Sequence, residues 1–139
     1  MSAEWSIERL QAELNACPAI EFLGLQAEEF DQDQTRVVFR MPLRAELERA
    51  AGTKQFHGGP VASLIDTAGD YAVALAVGGG VPTVNFRVDY LRPSVGDYLL
   101  ATAQARRVGR SLAVADIDVT DPEGRLCAIG RGCYSTAIG

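Results

Sequence analysis

The stretch HGGPVASLIDTAGDYAVALAV, residues 57–77, decides how the rest of the chain folds. It reads as one helix over about 58–77. His57-Gly58-Gly59 opens it, and Pro60 follows where a missing N–H leaves no helical bond unmade. Val61, Leu64, Ile65, Ala68, Ala72 and Leu75 recur at helical spacing on one face. At about 100° per residue, Ser63, Asp66, Thr67 and Asp70 point the other way, joined further on by Val73, Ala74 and Val77. The second half is therefore apolar all round, the pattern of a helix buried on every side. The face bearing Asp66, Asp70, Val73 and Val77 is expected to close against a two-fold mate, because it would otherwise lie exposed.

Upstream, residues 4–16 read as a helix, with Trp5, Ile7, Leu10 and Leu14 on one side and Pro18 stopping the run. Residues 22–30 and 34–41 read as strands around the turn Asp31-Gln32-Asp33-Gln34, and 43–56 as irregular or weakly helical. Downstream of Gly78-Gly79-Gly80 the period becomes two. Val84, Phe86, Val88 and Tyr90 alternate with Asn85, Arg87 and Asp89, a half-buried strand that ends at Pro93. Strands at 98–107, 111–120 and 125–136 follow, separated by Gly109-Arg110 and by Asp121-Pro122-Glu123-Gly124. Short turns between consecutive strands imply antiparallel pairing. One long helix and one antiparallel sheet make an α+β layer fold.

A chain of 139 residues is expected to form one domain, 1–139, with 47% hydrophobic and 22% charged residues placing it among globular proteins. Its longest weakly polar stretch, Tyr71 to Pro82, is broken by the three glycines and reads as too short to span a bilayer. Met1-Ser2-Ala3-Glu4 starts no secretory leader, so the cytoplasm is the expected compartment. A net charge of −5 argues against a nucleic-acid partner. Seven of the 13 basic residues nevertheless lie between Arg87 and Arg131, with Arg106, Arg107 and Arg110 close together, enough for a local basic rim. The three cysteines read as small buried hydrophobes rather than a disulfide framework, and one histidine without a Cys-x-x-Cys leaves no structural zinc site.

The chemistry concentrates at the helix start. A glycine pair at a helix N-terminus leaves backbone N–H groups able to bind a developing oxyanion. Asp66, nine residues after His57, puts a carboxylate on the same helix. Donor and carboxylate are the minimum for opening an ester or thioester, with no metal or cofactor required. Thiolate leaves readily, so no strong general acid is needed.

Taken in order, His57-Gly58-Gly59, Leu64-Ile65-Asp66-Thr67-Ala68, Thr83-Val84-Asn85-Phe86, Tyr90-Leu91-Arg92-Pro93, Gly96-Asp97, Val108-Gly109-Arg110-Ser111 and Gly130-Arg131-Gly132 resemble the phenylacetate-degradation-type (PaaI-like) acyl-CoA thioesterases of the hotdog fold. The resemblance runs from about His57 to Tyr134 and, more loosely, back to residue 20. It implies a curved antiparallel sheet wrapped around one helix, and hydrolysis of an acyl-CoA. It further implies Asp66 as general base or nucleophile, the Gly58 N–H as carbonyl polariser, His57 ordering the loop, and Thr83 assisting the water. Gly59, Arg106, Gly109, Arg110 and Ser111 would meet the substrate, the coenzyme A phosphates lying near the basic turn; Asp70, where relatives often carry a small or hydroxyl residue, is a departure, read either as part of the substrate site or as a helix residue hydrogen-bonded at the subunit interface. The resemblance also implies a homodimer that shares each site, often paired into a homotetramer.

The chain departs from that pattern at Ala51, where many relatives carry Asn or Gln six residues before the histidine; Gln55 is nearby. That departure is the one feature favouring a non-catalytic acyl-CoA-binding protein on the same fold. Ser63 lies outside any Gly-x-Ser-x-Gly elbow, which disfavours a serine hydrolase. A hydratase would show a paired Asp and His at short spacing, whereas here the histidine precedes the glycines. The acyl group, aromatic or short-to-medium aliphatic, stays open at this level.

Overall fold

The structure, a computed structural model, describes residues 4–137. Helix α1 (Ile7–Ala16) begins later than the hydrophobic spacing suggests, because the Ser6 side chain accepts the Arg9 N–H at 3.0 Å and fixes the first turn. Trp5 is buried just ahead of it. α1 stops at Ala16, ahead of Pro18, as the sequence reading has it, but Pro18 is also the first residue of an unforeseen second helix, α2 (Pro18–Leu23), closed by Gly24 at a left-handed φ of 73°. The strand expected over 22–30 is therefore corrected to β1 (Gln26–Asp31), which pairs with β2 (Arg36–Pro42). Met1-Ser2-Ala3, on which the leader reading rests, lies outside the described residues.

Helix α3 (Gly58–Val77) is followed by β3 (Thr83–Tyr90), β4 (Tyr98–Val108), β5 (Leu112–Thr120) and β6 (Leu126–Ser135). The six strands form one antiparallel sheet in the order β1-β2-β4-β5-β6-β3, and α3 packs across it. This is the expected α+β hotdog arrangement. The close wrap has a cause in the sequence. Alternate buried positions of the central strands are small: Ala101, Ala103, Ala113, Ala115 and Ala128. A Cβ at Gly130 would come within 2.5 Å of Ile65 Cγ2, so only glycine lets the helix approach there.

Tyr134 closes the remaining gap. It is fully buried and donates its hydroxyl to the Asp66 carbonyl at 3.0 Å. Gly69 on the helix and Gly132 on the sheet make room for its ring, since a Cβ at either would lie 2.2 or 2.4 Å from the phenol oxygen.

Several burial expectations change. Val73 and Thr67, assigned by periodicity to the face opposite the core, are buried within the chain, Val73 beside Val81, Ala113, Ala115 and Tyr134. The helix face that was to require a two-fold mate is thus largely covered already, because β6 and β3 curl around it. Val77 at the end of that face stays 40% exposed, and a run of uncovered apolar residues lies on β3 and just beyond it, where Val84 is 54% exposed, Phe86 38%, Tyr90 53% and Leu91 52%. β3 reads as half-buried by alternation, but as the outermost strand it has cover on one flank only. Among the cysteines, Cys127 is buried, Cys133 half-buried and Cys17 exposed, so the buried reading fails for Cys17. Helix α3 does have the length and hydropathy to cross a membrane, contrary to the reading of the chain, although most of it is buried inside the sheet.

Gly69→Ala tests the Tyr134 packing. Helix propensity alone would favour alanine by about 1 kcal/mol. The clash with a phenol that has nowhere to go should outweigh this, for a net loss of about 1–3 kcal/mol in denaturant unfolding. In a Tyr134→Phe background, where the oxygen is gone, the same substitution should be markedly less damaging.

Candidate active site

The N-terminus of α3 is held by His57. Its backbone is extended (φ −64°, ψ 148°), and its Nδ1 accepts the Gly59 N–H at 2.9 Å, so that ring nitrogen carries no proton and His57 acts as the helix cap. The cap uses the Gly59 donor and leaves the Gly58 N–H, which as the first helical residue has no carbonyl four residues back to bind. Twenty aligned peptide units set a partial positive charge at that point. The loop entering the helix is fixed by His57 N–H to Leu47 O and by Phe56 N–H to Ser94 O, both at 2.8 Å.

Tyr90, to which no role attaches from sequence, completes this end. Its hydroxyl donates to the Gly58 carbonyl at 2.6 Å, and a Cβ at Gly58 would lie 3.2 Å from the phenol oxygen. A cleft of about 340 Å³ opens here, bordered by Arg49, Gln55, Gly58, Tyr90 and Arg92. Gln55 thus stands at the Gly58 cleft, whereas Ala51 is an exposed turn residue. A larger cleft of about 490 Å³ lies on the outer face of the sheet around Arg87, Asp116 and Arg131, remote from the helix start.

Two turns further along α3, Asp66 Oδ1 accepts the Thr83 hydroxyl at 2.7 Å. Spacing along the helix points to Asp66 and the family resemblance to Thr83, and the structure brings them together. Tyr134, bonded to the Asp66 carbonyl, fixes the backbone of that turn. It is the second residue that periodicity could not single out. The signal was indirect: Gly69 inside a helix and Gly132 inside a strand mark a close approach. Asp70 is half-buried, and its Oδ1 accepts the Val81 N–H at 2.9 Å.

Gly58 and Asp66 do not meet within one chain. Eight residues at about 1.5 Å rise separate them by about 12 Å along the axis. The sheet register agrees. Thr83, Tyr134, Ala113 and Val108 form one row across the strands, and Tyr90, Ala128, Val119 and Ala101 another seven residues along β3. Asp66, Thr83 and the β4–β5 turn therefore share one end of the sheet, with Gly58 and Tyr90 at the other.

The basic turn is rigid. Gly109 N–H bonds Leu112 O at 2.8 Å, and Thr136 holds the turn through Gly109 O at 2.7 Å and Ser111 O at 2.9 Å. A Cβ at Gly109 would sit 2.9 Å from Leu112 O, so the position requires glycine. Arg106, the unpaired residue of a bulge in β4, approaches Asp116 at 3.7 Å. Arg131 grips the same carboxylate at 2.6 and 2.9 Å, and chiefly for that reason Asp116 titrates below the usual range. Among the described residues Arg107 and Arg110 have no carboxylate within 4.0 Å, so their charge remains for an anionic ligand. No cluster of three His, Cys, Asp or Glu suited to a metal ion occurs among the described residues.

Burial pushes the Asp70 carboxyl up to about 6; the Val81 N–H opposes this, and the charges of Asp66 and Glu13 add to it. Its pKa is higher in the folded than in the unfolded chain, so this contribution to stability is full below about pH 4 and is lost as pH rises through 6. Asp70→Asn does not titrate. Its unfolding free energy should therefore gain on the wild type between pH 4 and 7, by up to about 3 kcal/mol. Denaturant midpoints across that range check this, and a constant difference would count against it.

The family model described as Thioesterase superfamily matches residues 55–128. Over 132 residues the chain is 33% identical to the Escherichia coli acyl-coenzyme A thioesterase PaaI, covering 92% of this chain and 87% of that one. Over 100 residues it is 32% identical to human acyl-coenzyme A thioesterase 13, covering 69% of each. Among solved structures, an X-ray structure from the thioesterase superfamily superimposes with a TM-score of 0.86 at 36% identity, over 93% of this chain and 96% of that one. The E. coli PaaI protein from the phenylacetic acid degradation operon gives 0.81 at 29% identity, over 95% and 93%. The helix start, the carboxylate and the wrapped sheet thus occur in a chain that belongs to the thioesterase superfamily, as a PaaI-like member with the hotdog fold.

Proposed function

We propose that the protein hydrolyses acyl-CoA thioesters at sites shared between two copies of the chain. The observation that carries this reading is the separation of about 12 Å between Gly58 and Asp66. One thioester carbonyl cannot touch both within a chain. The free edge of β3, with its exposed Val84 and Phe86, suits pairing with a second β3 about a two-fold axis. Such pairing is antiparallel. It sets the Tyr90 end of one copy beside the Thr83 end of the other, and so Gly58 of one chain near Asp66 of its mate.

In that arrangement the Gly58 N–H stabilises charge on the carbonyl oxygen, a contribution typically of about 2.7–4 kcal/mol. Thr83 occupies one oxygen of Asp66 and leaves the other for water or for direct attack. On the water route Asp66 takes a proton as the water oxygen adds to the carbonyl carbon, the C–S bond breaks, and coenzyme A leaves as thiolate to be protonated by solvent; on the direct route the same C–S bond breaks and water then hydrolyses the mixed anhydride, releasing the acid and Asp66. His57 keeps the donor in place as helix cap. Gln55 brings to the Gly58 cleft the amide that Ala51 lacks, which weakens the case for a protein that only binds acyl-CoA. The acyl group is phenylacetyl-type or short-to-medium aliphatic, and Arg107 and Arg110 face the coenzyme phosphates from the rigid turn. Dimers of this kind would pair into a tetramer through the outer sheet face, where Arg87, Asp89, Asp116, Asp118 and Arg131 offer both charges.

Four results are expected. Free thiol is released from aromatic or C4–C12 acyl-CoAs in the presence of a chelator; no turnover across that panel would move the reading to a binding protein. Asp66→Asn lowers kcat by roughly 10²–10⁴ with binding retained, and Gly58→Pro, which deletes the donor at a helical position that tolerates proline, is similarly impaired. Refolded together, these two inactive variants recover activity towards about a quarter of wild type, because each mixed dimer holds one intact site. Arg110→Ala raises KM for acyl-CoA but not for a truncated thioester without the nucleotide, and the effect shrinks with salt. Equal effects on both substrates would mark Arg110 as structural.

A further inference from the structure

The link between α3 and β3 contains Gly78-Gly79-Gly80, the most permissive backbone in the chain, and it delivers Thr83 to Asp66. A link of this composition has no preferred path of its own. Gly79 has no non-neighbouring heavy atom within 4 Å of where its Cβ would be, so packing does not define it either. Its course is set by tethers at its two ends. At the helix end, Gly78 takes a left-handed φ of 98°, bonds Ala74 O at 2.8 Å, and receives the Arg9 guanidinium from α1 on its carbonyl at 2.7 Å. At the strand end, the Val81 N–H bonds Asp70 Oδ1 at 2.9 Å, the Val81 side chain is buried, and Pro82 O accepts the Ser135 N–H at 2.8 Å.

The two carboxylate contacts are in register. Asp66 and Asp70 are four helical residues apart, about 6 Å of rise. Val81 and Thr83 are two residues apart in extended chain, about 6.6 Å. Helix and chain run antiparallel at matched spacing, so Asp70 meets Val81 where Asp66 meets Thr83. We infer that Asp70 is a positioning residue for the thioesterase site, its carboxylate clamping Val81 so that the Thr83 hydroxyl lands on Asp66. This rests on the functional reading given above. It assigns Asp70 a place in the enzyme without contact to the substrate. Its group need only accept a hydrogen bond, and its charge is incidental to the task.

A double-mutant cycle tests this on the full chain, with kcat and KM measured for Asp70→Ala, Thr83→Val and the pair. Asp70→Ala should lower kcat by about 5–10-fold, towards the upper end of what losing one ordinary hydrogen bond costs, and change KM less than twofold. In the Thr83→Val background the same substitution should have less than a twofold effect on kcat, because the hydroxyl it positions is gone. Asp70→Asn, whose amide oxygen accepts the same bond, should recover most of the loss. An undiminished effect of Asp70→Ala without the Thr83 hydroxyl would overturn the inference. So would an Asp70→Asn variant as impaired as Asp70→Ala, since the charge would then be what matters. Amide hydrogen exchange at Val81 gives a readout independent of turnover. Protection should be lost in Asp70→Ala and kept in Asp70→Asn, and unchanged protection in Asp70→Ala would overturn the clamp. A wild type without hydrolytic activity would defeat the functional reading alone, because the exchange arm still decides whether Asp70 holds the link.

Discussion

Everything in this molecule depends on how closely α3 can approach the sheet. A 20-residue helix surrounded on most sides leaves no room for large residues on both partners, and here the sheet yields. Alanines on β4, β5 and β6 and glycine at 130 lower the floor, while the helix supplies Val61, Leu64, Ile65 and Leu75. Tyr134 is the exception that proves useful. It is a large side chain seated between helix and sheet near Asp66, and two glycines make room for it. In return its hydroxyl binds the carbonyl of the turn that carries the carboxylate, so the core packing and the candidate chemistry share one contact.

The same geometry divides the site. A helix is rigid along its axis, so a donor at its first residue and a carboxylate two turns on stay about 12 Å apart whatever else moves. On the proposed reading, that rigidity keeps one carbonyl from touching both groups within a chain, and the free edge of β3 is where a second copy would bring them together. That edge carries exposed apolar residues, and each of its ends abuts a different half of the candidate site. Tyr90 at one end braces Gly58, and Thr83 at the other meets Asp66.

Electrostatics follow from the packing. Asp66 and Asp70 lie one turn apart on a helix whose other neighbours are apolar, and Asp70 is half-buried among them. Its proton is held more tightly than in water, with burial as the leading cause. The arginines of the β4–β5 turn are in the opposite situation. Exposed and rigidly presented, they differ mainly in whether an aspartate is at hand: Arg106 has Asp116, and Arg107 and Arg110 do not.

By itself the sequence determined the α+β plan, the limits of α3 and the four downstream strands, and it pointed to the carboxylate and glycine of the candidate site, Thr83 being added by the family resemblance. These are local matters: helical period, strand alternation, capping and turn chemistry are written in neighbouring residues. It misread what depends on distant parts of the chain. Pro18 follows the end of one helix and also begins another, because a proline suits a first turn as well as a stop, and the second helix was missed. Val73 and Thr67 are buried since the sheet curls round both flanks of the helix, and β3 is exposed since it is the last strand in the order. Neither curl nor strand order is encoded in periodicity. Tyr90 and Tyr134 are invisible as site residues for the same reason. Each acts on a backbone carbonyl of α3 from another strand, 32 and 68 residues away in sequence. Only the tertiary structure decides such contacts, because a hydrogen bond to a backbone atom leaves no mark on the residue that accepts it.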